Sequence, residues 1–250
     1  MLVELKMKLK PREQQIGYYQ SSNLQGVLME QIGSEYAEKL HQQKLNPYSQ
    51  CITCGEHIIW SVKTLNEEAY ENIILPLLEK DFKNFEIEKM GVYVDVLEKQ
   101  LVMQNEKELL EEFYETPASK YLNLEFLTPT SFKSNGRYVI IPEVRYIYQS
   151  LMNKYSATSN GMNMYDEDTL EQLIECSEIT QYRLKSTFFP LEGVKIPAFK
   201  GELTIRLKGT ETMARYARLL ARFGEYSGIG IKSAMGMGAM RIKERRVKDE

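Results

Sequence analysis

The spacing of apolar positions changes several times along this chain, and each change marks an element. Residues 2–9, LVELKMKL, alternate with a period of two and predict a strand. Leu24, Val27, Leu28, Ile32, Tyr36 and Leu40 then recur at intervals of three and four, which places one apolar stripe along a helix. Ser21, Ser22 and Asn23 supply candidate N-caps, and the helix is expected to end near His41, before the turn at Asn46-Pro47. Residues 48–54 and 57–64 read as two strands joined at Gly55. A second helix, 66–80, carries Tyr70, Ile73, Ile74, Leu77 and Leu78, and residues 84–104 return to strand patterning. Strand, helix, strand, strand, helix, strand is the order of the split βαβ, or ferredoxin-like, unit.

The second half is less regular. Residues 105–116 are acidic and predict either a short helix or the connection between units. LNLEFLTPTSFK (122–133) reads as a strand and loop, Pro142 can start a helix through Tyr155, and Asp166-Glu167-Asp168 opens another with Leu170, Leu173 and Ile174 inward. Residues 180–189 and 194–208 are strand candidates. Thr210 caps a helix with Met213, Tyr216, Ala217, Leu220 and Phe223 on one side, and AMRIKERR (239–246) closes as a strand. The expected class is α+β: two tandem ferredoxin-like (RRM-like) domains, 1–118 and 119–250, packed side by side. No long Gly/Ser or Pro linker separates them.

Composition narrows the compartment. The 250 residues are 43% hydrophobic and 27% charged, ordinary for a globular chain. No apolar run approaches the roughly 20 residues of a membrane helix, and the N-terminus lacks the continuous apolar core of a secretory signal. Three cysteines suit a reducing cytoplasm better than a disulfide framework. The net charge of −3 hides an asymmetry: residues 1–180 carry 17 basic and 28 acidic side chains, residues 181–250 carry 15 and 7. A basic C-terminal third predicts a face for a polyanion, the competing reading being a solvated basic surface.

Four glycines, Gly228, Gly230, Gly236 and Gly238, fall within the segment GIGIKSAMGMG, with Lys232 and Ser233 between them. Glycine permits positive φ, and successive N–H groups in such loops can form an anion-binding nest. A P-loop is excluded because Ile231, not glycine, precedes Lys232; dinucleotide fingerprints are excluded because positions 233 and 241 are Ser and Arg. A tight helix-to-strand connection is the competing reading.

This loop, with the helix before it and the strand after it, resembles the C-terminal motif of the CRISPR-associated endoribonucleases that cut repeat RNA into guide RNAs. NLQGVLMEQIGSEYAEKLHQQKLNPYS (23–49), FLTPTSFKSNGRYVIIP (126–142) and FKGELTIRLKG (199–209) resemble the same family in the same order, so the likeness spans most of the chain. It implies two ferredoxin-like units with RNA across a basic cleft. The partner it implies is CRISPR repeat RNA (pre-crRNA), with other CRISPR effector subunits or a second copy of the chain as further partners and no cofactor. Non-cleaving relatives share such loops, so a non-catalytic RNA-binding subunit of an interference complex is the alternative function.

Metal-independent RNA cleavage uses the substrate's 2′-hydroxyl as nucleophile and needs a base, an acid and cations. Histidine suits either proton-transfer role. Of the two present, His41 ends an amphipathic helix, where the negative helix end favours a charged ring, and it matches the family's catalytic position between first helix and second strand. Capping alone is the competing reading for such a histidine. Lys44 is placed to stabilise phosphorane charge. Tyr36 is the nearest upstream tyrosine, although its place in the apolar stripe favours core packing; Tyr48 and Ser49 are weaker candidates. His57 reads as structural. Cys51 and Cys54 form a lone CxxC without the second pair a zinc site wants, and read as buried small residues. The carboxylates form no compact metal-binding motif, which favours metal-free chemistry. Expected RNA contacts are the four loop glycines, Lys232, Ser233, Arg241, Lys243 and Arg245, with Lys133 and Arg137 flanking a turn. Arg241, Lys243 and Arg245 share one strand face and read as a phosphate track, or as protective charges on an edge strand.

Overall fold

A computed structural model describes residues 1–158 and 165–243. The elements in chain order are β1 (Leu2–Pro11), α1 (Ser21–Gln31), α2 (Ser34–Gln42), β2 (Tyr48–Cys54), β3 (Ile58–Thr64), α3 (Glu67–Ala69), α4 (Leu75–Leu78), β4 (Asn84–Ile87) and β5 (Val92–Gln104). There follow α5 (Glu106–Glu115), β6 (Tyr121–Thr130), β7 (Phe132–Ser134), β8 (Arg137–Val139), α6 (Val144–Thr158), α7 (Glu167–Glu175), β9 (Ser177–Leu191), β10 (Val194–Leu207), α8 (Glu211–Ser227) and β11 (Met240–Ile242).

The alternation of β1 dictates its place. Val3, Leu5, Met7 and Leu9 point into the core while Glu4, Lys6 and Lys8 face away, and β1 pairs antiparallel with both β3 and β5 at the centre of a sheet ordered β2-β3-β1-β5-β4. Helices α1 and α2 lay Leu24, Val27, Leu28, Tyr36 and Leu40 on that apolar face. The second sheet, β11-β6-β10-β9, repeats the ferredoxin-like order, with β4 an addition at the edge of the first. Helices α6, α7 and α8 bury Ile147, Leu151, Leu173, Ala217 and Leu220 against it. The chain therefore holds two ferredoxin-like units side by side.

The first predicted helix is two. Ile32 and Gly33 are extended (ψ 153° and 142°), which splits α1 from α2 and gives the second helix its own start. The second predicted helix carries a π-turn over Tyr70–Ile74 between α3 and α4. Pro76 has no N–H to bond the carbonyl four residues back, so the ladder widens there. The segment 84–104 is a hairpin, turned by Gly91 at φ +60°. Asp166 and Thr210 cap α7 and α8 through Thr169 N–H and Met213 N–H, as their sequences predict. Among the described residues the closing strand runs Met240–Ile242; residues 244–246 of the expected strand, Arg245 among them, lie outside the described residues.

The units are stitched along β2 and β3. Ser49 Oγ donates to the Tyr226 carbonyl, Lys63 Nζ to that of Glu225, and Gln50 Nε2 to that of Ala234 (3.2 Å). A small apolar cluster, Leu2, Leu65, Leu109, Tyr155, Leu219 and Phe223, lies between them. Glu112 of α5 bridges Arg218 and Arg222 of α8 at 3.2 Å each.

Candidate active site

A cleft of about 720 Å³ opens where the end of α2 faces the glycine-rich loop. His41 and Lys44 line it from the first unit; Gly230, Lys232 and Ser233 line it from the second, nearly 190 residues later in the chain. His41 occupies the last turn of α2 with its side chain exposed, and Lys44 sits in the turn that follows. Tyr48, at the start of β2, forms part of the wall; its hydroxyl accepts a 3.4 Å hydrogen bond from Gln25 Nε2. Burial pushes the Tyr48 phenol up to about 12, so at neutral pH it is a proton donor and not a base.

Tyr36 is not brought to the cleft. It is 6% exposed within the first core, and burial raises its phenol, so it stays protonated. The reason is helical geometry: Tyr36 and His41 are five residues apart, about 140° around the axis. Its hydroxyl is buried without a hydrogen-bond partner among the described residues. Ser49 is spent on the inter-unit bond to Tyr226, and His57 is exposed in the β2–β3 turn, not in a strand. Cys51 is buried as expected, but Cys54 is exposed, because residues three apart on a strand face opposite sides.

The glycine-rich loop is a packed element. Gly230 N–H donates to Ser150 Oγ (2.8 Å), Ile231 N–H to the Ser131 carbonyl (3.0 Å), Gly238 N–H to the Pro129 carbonyl (3.0 Å) and Ile229 N–H to the Gly238 carbonyl (2.8 Å). Those donors are therefore not available to an anion. Three glycines are required by space as well as by conformation: a Cβ on Gly230 (φ +73°) would lie 2.3 Å from the Ser131 carbonyl oxygen. A Cβ on Gly238 (φ +70°) would lie 1.9 Å from the Ile229 carbonyl oxygen, and one on Gly236 (φ +105°) would lie 2.1 Å from Ser21 Cβ. Gly228 also has positive φ (+63°) and lies against Gly238 and Ser233. The loop is thereby pressed onto the N-terminus of α1, and what it offers the cleft is the exposed Lys232 and the half-buried Ser233.

The expected phosphate track is already occupied. Arg241 Nε pairs with Glu125 at 2.7 Å and Lys243 Nζ with Glu202 at 2.6 Å, across the open face of the second sheet. Lys133 and Arg137 are exposed on the β7–β8 hairpin. Their hairpin follows Ser131, whose carbonyl holds Ile231 of the loop.

Sequence reasoning passed over Lys89, Lys154 and Glu192, all of which line the cleft. Lys154 carries a legible signal: 147, 151, 154 and 158 form the inward stripe of α6, and a lysine stands on it. Burial lowers its ammonium to about 7. Glu192, with Gly193, forms the turn between β9 and β10, both at positive φ. Among the described residues no group of three or more His, Cys, Asp or Glu side chains could hold a metal ion, and no helix is long and apolar enough to cross a membrane.

Comparison with known proteins agrees with this architecture. Residues 124–240 match the family of CRISPR-associated endoribonuclease Cas6. A protein of that description from Streptococcus thermophilus is 39% identical over 224 residues, covering 88% of this chain and 90% of its own. One from Mycobacterium tuberculosis is 34% identical over 223 residues, covering 88% and 71%. Among solved structures, a Cas6 (TTHA0078) product complex superposes with a TM-score of 0.79 at 21% identity, covering 98% and 100%. Thermus thermophilus Cas6 (TTHB231) gives 0.71 at 22%, covering 97% and 98%.

Proposed function

This chain belongs to the family of CRISPR-associated endoribonucleases Cas6, and on that premise we propose that it cleaves CRISPR repeat transcripts once per repeat, in the cleft between α2 and the glycine-rich loop, without a metal ion. The observation that carries the reading is the convergence of His41 and the loop on one cleft from nearly opposite ends of the chain. Solved complexes of Cas6 (TTHA0078) with a product and with a substrate mimic support RNA as the ligand.

In the proposed reaction the 2′-oxygen attacks the adjacent phosphorus and gives its proton to a water molecule acting as base, and the bond from phosphorus to the 5′-oxygen breaks. The products are a 2′,3′-cyclic phosphate and a 5′-hydroxyl. His41 protonates the departing 5′-oxygen, a role imidazole fills near neutral pH. Lys44 and Lys232, cations without a carboxylate partner among the described residues, stabilise the phosphorane. In this reading Arg241 and Lys243, each held in an ion pair, make a weaker, outer contact, and Lys133 and Arg137 reach RNA from the hairpin. Tyr36 packs α2 onto its sheet and so fixes where His41 points.

The test is incubation of purified protein with an end-labelled repeat in EDTA. Wild type is expected to cut at one site, and His41→Ala to bind the RNA without cutting it. Cleavage that requires a divalent metal, or that survives in H41A, refutes the mechanism; tight binding with no cleavage by wild type favours the non-catalytic RNA-binding subunit.

A further inference from the structure

Lys154 is 5% exposed, yet it reaches the cleft wall from beneath the glycine-rich loop. A buried lysine is tolerated only where its donors are satisfied. Here Nζ donates to the carbonyl oxygens of Ser227 and Gly228 at 3.1 Å each, and to Ser233 Oγ at 3.0 Å. Three acceptors match the three protons of an ammonium. Two of them belong to the junction where α8 ends and the loop begins; the third is the side chain that lines the cleft.

The direction of the third bond has a consequence. An ammonium has donors and no acceptor, so the Ser233 oxygen must accept from it. The hydroxyl's own proton is left to point elsewhere. Ser227, by contrast, spends its hydroxyl on the Gly228 carbonyl at 2.8 Å, so it does not compete for Lys154. Ser233 is half-buried and lines the same cleft as His41.

We propose that Lys154 is a positioning residue for RNA cleavage: it ties the loop to α6 and turns the Ser233 hydroxyl proton outward, as a donor to a non-bridging oxygen of the RNA phosphate. The proposal rests on the reading of the cleft as the RNA site. It adds a specific hydrogen-bond donor to the glycine-rich loop, whose own N–H groups at 228–231 are consumed internally.

The experiment is a double-mutant cycle of Lys154→Met and Ser233→Ala. Single-turnover cleavage of a labelled repeat is measured at pH 6, below the value to which burial lowers Lys154, with thermal melting of each variant alongside. A hydrogen bond to a charged group corresponds to roughly tenfold to a hundredfold in rate. S233A is expected to lose that much cleavage while melting like wild type, with Ser233→Thr, which keeps a hydroxyl, recovering most of it. K154M is expected to lose at least as much, and the double variant to be no slower than K154M. Wild-type cleavage by S233A, or losses that multiply in the double variant, overturns the proposal. Should K154M not fold, Lys154→Gln, a shorter side chain that retains a donor, replaces it in the cycle. H41A is run in parallel: if H41A cleaves, the reading of the site fails, whereas an inactive H41A beside a fully active S233A defeats only the role of Lys154.

Discussion

Replacing Gly236 with alanine tests whether the loop is held by space or only by backbone conformation. Gly91 supplies the comparison. Both residues have positive φ, +105° at Gly236 and +60° at Gly91, so both alanines incur the penalty of an L-residue in left-handed space, about 1–2 kcal/mol. Only one meets an obstacle. A Cβ at Gly91 has nothing within 4 Å, whereas one at Gly236 lies 2.1 Å from Ser21 Cβ and 2.8 Å from its Oγ. Ser21 is fully buried, with its Oγ accepting from Ile52 N–H (3.2 Å) and its carbonyl from Gln50 Nε2 (2.7 Å), so it cannot swing aside. Carbon atoms rest at about 3.5–4.0 Å, so the loop or α1 must move by more than an ångström. Overpacking of that kind costs about 1–3 kcal/mol. G236A is therefore expected to lose about 2–5 kcal/mol in total, and G91A about 1–2 kcal/mol. For a chain of this size each kcal/mol lowers Tm by about 2–4 °C. Thermal denaturation followed by circular dichroism separates the two variants, and G236A should also cleave RNA poorly because the displaced loop walls the cleft. A G236A protein that melts no lower than G91A would show that the contact with Ser21 is not a constraint.

Three further outcomes follow from individual side chains. Tyr36→Phe removes a buried hydroxyl that has no partner, so stability should rise by about 1 kcal/mol and cleavage should stay within about twofold; a large loss of cleavage would restore Tyr36 to the chemistry. Glu125→Gln and Glu202→Gln release Arg241 and Lys243, so each should tighten RNA binding and steepen its salt dependence by about one charge; unchanged salt slopes would place both cations away from RNA. Lysine ordinarily titrates near about 10.4, and burial lowers Lys154 to about 7. Between those values the unfolded chain holds a proton that the folded chain does not, so stability rises with pH across that window, and the cost of burying the charge is complete below it. The difference in Tm between wild type and K154M should therefore shift in favour of wild type from pH 7 to 9, and parallel curves would refute the assignment.

The elements with a clear period were legible in the sequence. The alternation of Val3, Leu5, Met7 and Leu9 and the stripe on α8 lead directly to the strand and helix observed, as do the caps Asp166 and Thr210. The break between α1 and α2 was not, because Leu28, Ile32, Tyr36 and Leu40 keep a spacing of four straight through it; both helices serve the same sheet, and only Gly33-Ser34 marks the new start. His41 lies at the helix end that the spacing of the apolar stripe predicts. The pairing of Arg241 was not, because Glu125 stands 116 residues earlier and is brought opposite by sheet register alone. The loop glycines were recognised but assigned to ligand approach. Sequence cannot show that the Pro129 and Ser131 carbonyls lie across from Gly238 and Ile231 and take up their N–H groups.

The three bonds from Ser49, Gln50 and Lys63 to the end of α8 and the loop bear on how the protein meets its RNA. Gln50 is the most constrained of them: its amide nitrogen also holds Ser21, and its oxygen accepts from Trp60 Nε1 at 2.8 Å, so every atom of the group has a fixed direction. A seam of that kind has no hinge. The two units cannot swing apart like a jaw without breaking buried bonds at once. They form a mould, so whatever change of shape a fit to the cleft requires falls to the ligand and not to the protein.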